Sequence, residues 1–125
     1  MARFARAAAA LVAVFWAGSG LWAFLAPRSF FDRLATFAPY NEHLLHDIGA
    51  LSIGLGAVIG FALARMPALR AALLGVGVGS AFHVAAHLLD YDQKPNPMDI
   101  VGLSLVTLLT FAAAFAFDRS GAPPN

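Results

Sequence analysis

Residues 48–64 read Ile48-Gly-Ala-Leu-Ser-Ile-Gly-Leu-Gly-Ala-Val-Ile-Gly-Phe-Ala-Leu-Ala64, a stretch without a single charged side chain. A helix needs about 20 mostly apolar residues to cross a ~30 Å hydrocarbon layer, with a usual range of roughly 17–25. Three further stretches, Ala7 to Pro27, Ala71 to Leu89 and Ile100 to Phe117, also lack Asp, Glu, Lys and Arg. A water-soluble helix would carry a polar stripe along one face, and these segments carry none. The sequence therefore predicts an all-α integral membrane protein, a four-helix up-down-up-down bundle formed by one transmembrane domain. Its helices are expected at about 5–26, 42–64, 69–89 and 97–117, followed by a disordered tail over 118–125.

Composition agrees with that reading. The 125 residues are 60% hydrophobic and 12% charged, against roughly 45–50% and about 25% in a soluble domain. The absence of cysteine excludes disulfides, thiolate metal sites and iron–sulfur clusters. A net charge of +1 with scattered basic residues argues against a nucleic-acid partner. Arg3 and Arg6 before an alanine-rich run resemble a signal peptide. The run continues through Trp22 and Leu25 without a clean cleavage site, so a retained first helix is expected.

Loop charges set an expected orientation in the cell membrane. Arg3, Arg6, Arg65, Arg70 and Arg119 share one side with Asp118, whereas Arg28, Arg33 and Lys94 share the other with Asp32, Glu42, Asp47, Asp90, Asp92 and Asp99. The positive-inside rule then puts both termini in the cytoplasm and the acidic loops outside. Between the first two helices, Phe30, Leu34 and Phe37 alternate with Arg28, Asp32 and Arg33. That pattern fits either a short interfacial amphipathic helix or a loop whose aromatics pack back on the bundle. Asn41 should cap the second helix, and Asn96 with Pro97 should open the fourth. Asp99 reads there as a charge that suits a helix start rather than a catalytic acid.

All four histidines fall at one end of the predicted second and third helices. His43 and His46 lie where the pair begins, and His83 and His87 where it closes. Gly49, Gly56 and Gly60 follow His46 at helical steps, and Gly75 and Gly79 precede His83 and His87 at steps of four. If those glycine rows face each other in the manner of small-x-x-x-small packing, His46 meets the His83/His87 pair. Neutral imidazoles bind zinc, copper or iron, and a haem iron can take histidine as an axial ligand. His46, His83 and His87, with His43 nearby, are therefore the expected cofactor ligands. Glu42, Asp47 and Asp90 are expected to orient them through the outer ring nitrogens. A His–Asp network without metal, serving as proton relay or structural clasp, is the alternative. Three histidines and a carboxylate suffice for metal-assisted chemistry, but nothing in the chain selects a substrate.

Trp16 and Trp22 read as lipid-facing or core residues, Tyr40 and Tyr91 as an outer aromatic belt. Ser52, Ser80, Ser104, Thr107 and Thr110 read as backbone or interhelical hydrogen-bonding groups. The glycine faces suggest a membrane-protein partner or a second copy, which makes an accessory subunit of a larger complex the second expectation. A small transporter ranks third, because no ionisable residue falls at mid-membrane.

The run Asn41-Glu-His-Leu-Leu-His-Asp-Ile-Gly-Ala-Leu-Ser-Ile-Gly-Leu-Gly56 resembles the second helix of small bacterial DoxX-like four-helix membrane proteins. That resemblance implies a four-helix membrane bundle, with some relatives linked to quinone-dependent oxidoreductase complexes. The chain carries no recognisable quinone or thiol motif.

Overall fold

The computed structural model describes residues 2–93 and 97–118, and every regular element among them is helical. Helix α1 covers Ala2–Leu25, α2 Pro27–Arg33, α3 Glu42–Ala64, α4 Leu69–Leu89 and α5 Pro97–Asp118. Short 3-10 turns occur at Met66–Ala68 and Tyr91–Gln93. Four segments are long and apolar enough to cross a membrane: α1, α3, the stretch Met66–Leu89 that contains α4, and α5 to Phe117. Large apolar side chains such as Leu11, Leu51, Phe61, Phe82 and Leu105 point outward, as contact with lipid tails requires.

The ends of these helices follow local chemistry. α1 begins at Ala2 rather than near Ala5, because arginine is a good helix former whose long side chain can reach away from an apolar surface. Asn41 caps α3 by accepting from the Leu44 backbone N–H at 3.1 Å, and Glu42 occupies the first turn. Between α1 and α3 each alternative holds for part of the stretch. Pro27–Arg33 is helical, Phe30 is buried, and the residues after Arg33 return as a loop against the long helices. The expected Asn96 cap and the expected disordered tail beyond Asp118 lie outside the described residues.

Buried positions recur every seven residues. They include Ala9, Trp16 and Ala23 on α1, Leu45, Ser52 and Ile59 on α3, and Thr110 and Phe117 on α5. On α4 two such rows run together, Leu69 with Val76 and Leu73 with Ser80. A seven-residue repeat keeps one seam facing the neighbouring helix. α1 packs extensively on α3 and also on α5, α4 packs on α5, and α3 touches α4 only lightly.

Close backbone approach occurs at one seam. A Cβ added to Gly20 would lie 2.7 Å from the Gly49 carbonyl oxygen, and one added to Gly56 would lie 2.6 Å from the Ala17 backbone nitrogen. Gly49 and Gly56 of α3 thus face α1. This overturns the expected facing of glycine rows, since Gly60, Gly75 and Gly79 have nothing within 4 Å of an added Cβ. The cause is angular. Four residues turn a helix by about 400°, so each step of four drifts roughly 40° around the cylinder. Over the three steps from Gly75 to His87 the drift is about 120°. A glycine row at that spacing does not continue straight into histidine.

Candidate functional site

His83 and His87 do come together, by belonging to the seven-residue rows rather than to the glycine row. His83 follows Leu69 and Val76, and His87 follows Leu73 and Ser80, so the packing stripe of α4 ends in two half-buried imidazoles. Their Nε2 atoms are 3.3 Å apart and their ring centroids 5.1 Å apart. Trp16 of α1 lies against His83 at 6.1 Å between centroids, and Phe37 from the loop after α2 meets His87 edge-on at 5.4 Å. Below this pair the α4–α5 seam is polar. Thr107 Oγ1 donates to the Leu103 carbonyl at 2.7 Å, so the Ser80 hydroxyl supplies the hydrogen in the 2.7 Å contact between Ser80 and Thr107.

His46 and His43 go elsewhere. His46 packs on Phe24 of α1 with centroids 5.2 Å apart, because the glycines beside it draw α3 onto α1. His43 pairs with Asp47 at 3.5 Å on the surface, where the two side chains are 86% and 60% exposed. Among the described residues, no group of three or more His, Cys, Asp or Glu side chains is arranged to hold a metal ion. The expected meeting of His46 with His83 and His87 therefore does not occur, because the Gly49–Gly56 face of α3 meets α1 rather than α4.

The expected outer-shell carboxylates are similarly dispersed. Asp47 serves His43, and Asp90 closes α4 as its C-terminal cap residue. Glu42 accepts from the Tyr40 hydroxyl at 3.0 Å in an open groove at the α1–α2 junction. In that groove Arg28 Nε donates to Asp32 at 2.9 Å, and the guanidinium lies over the Phe31 and Tyr40 rings. The bond to Asp32 and its charge hold Arg28 above the ordinary arginine range. Partial burial and the hydrogen bond to Glu42 raise the Tyr40 phenol. This cluster is a self-satisfied polar rim.

The imidazole pair lines a cavity of about 330 Å³, at the small end of the roughly 300–1,000 Å³ of ligand pockets. All four long helices and the loop after α2 contribute to its wall. The volume has a simple origin in the sequence. Ser19, Ala23, Ser52 and Gly102 stand at the wall where larger residues would fill the space, as Leu69, Leu73 and Phe117 do in the core near the opposite ends of α4 and α5. Most of the lining is apolar, with Phe15, Trp16, Phe30 and Leu103 prominent. Among the described residues, two that line it, Trp16 and His87, carry buried side-chain nitrogens without a hydrogen-bond partner, Trp16 Nε1 and His87 Nδ1. Asp99, expected only as a helix-terminus charge, also reaches the wall from the first turn of α5.

Trp16, Asp99, Ser52 and Gly102 were not legible as site residues. The signal that points to Trp16 is the row Ala9–Trp16–Ala23, which is in phase with the buried face of α1. Asp99 has no such marker, since its place depends on how α5 meets α4. No family model, no curated protein and no solved structure matches the chain.

Proposed function

We propose that the chain is a four-pass protein of the cell membrane that holds a small lipophilic molecule with an oxygen-bearing head group in this cavity. The proposed architecture is the up-down-up-down bundle. It is supported by neighbouring contacts whose numbers fall along one helix as they rise along the next. Gly20 meets Gly49 while Ala17 meets Gly56, and Ser80 meets Thr107 while Gly77 meets Phe111. The loop charges favour cytoplasmic termini, which puts the cavity toward the external leaflet.

One observation carries the ligand reading: Trp16 and His87 line the cavity, and each has a buried ring nitrogen, Trp16 Nε1 and His87 Nδ1, without a partner. Leaving a buried polar group unsatisfied costs about 1–3 kcal/mol, and lipid tails supply no hydrogen-bonding group. An indole N–H only donates, so Trp16 calls for an acceptor oxygen. The His83–His87 hydrogen bond uses one Nε2–H, which leaves His87 Nδ1 as donor or acceptor according to which ring gives it. A hydroxyl serves either tautomer. Of the histidines expected to hold a transition metal or haem, His83 and His87 belong to this site. Two imidazoles on one side of one helix cannot clasp a haem between them.

The test uses the detergent-purified chain with Trp22→Phe, which leaves Trp16 as its sole tryptophan. A brominated medium-chain alcohol should quench Trp16 saturably. Gly102→Leu grows into open space, with nothing within 4 Å of its Cβ, and should convert that saturable quenching into the linear response of free detergent. Equal curves for both proteins would sink the reading. An accessory or self-associating role is the second reading, favoured by the uncovered Gly75 and Gly79 beside exposed Val78 and Phe82 on α4. Cross-linked oligomers lost on Gly75→Leu/Gly79→Leu substitution would support it.

A further inference from the structure

The geometry points to a mononuclear metal site at the polar end of the cavity, with His83 Nε2 and His87 Nε2 as its two protein ligands and a divalent zinc-like ion as its occupant. Zinc–imidazole bonds are about 2.0–2.1 Å, and two of them at a tetrahedral angle hold their nitrogens roughly 3.3–3.4 Å apart. The observed Nε2–Nε2 separation is 3.3 Å. The pair is held at that spacing from several sides. Ser80 and Thr107 fix the turn of α4 beneath it, Trp16 backs His83, and Phe37 backs His87.

Two ligands leave two positions open. Since no third His, Cys, Asp or Glu joins the pair among the described residues, those positions fall to water or to an oxygen of a molecule in the cavity. Open zinc sites usually have three protein ligands and one free position; this one has two of each. Coordination through both Nε2 atoms requires each ring to carry its hydrogen on Nδ1. His87 Nδ1 then becomes a donor that calls for an acceptor oxygen, while His83 and His87 no longer need to share a hydrogen between them. The ion inferred here shares the cavity with the proposed lipophilic ligand but does not depend on it.

Cobalt(II) is the probe, because tetrahedral Co(II) has intense visible bands and is paramagnetic. Titration of the full chain in detergent, in the Trp22→Phe background, should give one ion per chain, those bands, and quenching of Trp16. Outer-shell changes weaken metal affinity about 10–100-fold, so His83→Gln or His87→Gln should weaken binding at least about 100-fold. His43→Gln and His46→Gln should bind as the parent does, and circular dichroism verifies that each variant retains its helices. Gly102→Leu should keep the ion while losing the brominated alcohol, which separates this inference from the ligand reading. Absence of Co(II) bands in the parent, or binding that survives His87→Gln, overturns the site.

Discussion

Gly49 and Gly56 on α3 and Gly75 and Gly79 on α4 look alike in sequence, yet the two sets have opposite surroundings. The α3 pair is pressed against the backbone of α1, so closely that an added methyl would overlap main-chain atoms. The α4 pair faces open space. Lipid tails are as apolar as leucine side chains, so close packing and hydrogen bonds, not exclusion from water, hold membrane helices together. A glycine contributes to such a seam only when its phase and its neighbour's phase agree. The difference also decides the histidines: α3 carries His46 toward Phe24, and α4 carries His83 and His87 inward on a different stripe.

The largest effect should come from closing the tight seam. Gly56→Ala places a methyl 2.6 Å from Ala17 N and 2.7 Å from Ala13 O. Backbone cannot yield as a flexible side chain does, so the loss should reach the upper part of the usual overpacking range of about 1–3 kcal/mol. Unfolding of the helices in mixed micelles, followed by circular dichroism, measures it; a change under ~0.5 kcal/mol would mean that this seam is loose.

A smaller loss is expected at the α4–α5 seam beneath the imidazoles. Ser80→Ala removes the interhelical hydrogen bond but leaves Thr107 satisfied by the Leu103 carbonyl. Interhelical hydrogen bonds in membranes average about 0.6 kcal/mol, with a maximum near 1.7, and the same unfolding assay should return a value in that interval. A null result would show that van der Waals packing alone sets the register of α4 on α5.

The smallest effect belongs to Gly75→Ala, expected within about 0.5 kcal/mol of the parent. The added methyl meets nothing, and a separated membrane helix is already helical, so the usual helix-propensity gain largely cancels. A loss above ~1 kcal/mol would sharpen the comparison, because it would mean that another chain covers this face in the membrane.

Much of this molecule is readable from one dimension. Four uncharged apolar runs mark the four long helices, Asn41 marks the start of α3, and Met66-Pro67 marks the turn before α4, because each depends on composition or on chemistry within one helical turn. That His83 and His87 meet is also local, since i and i+4 share a helix face. The company they keep is not local. Whether His46 joins them turns on roughly 40° of drift per step of four along α4, and on which neighbour the Gly49–Gly56 row grips. The cavity is further removed still. It exists because Ser19, Ala23, Ser52 and Gly102, small residues from three different helices, reach one level of the assembly, and only the mutual rotation and depth of packed helices can bring that about.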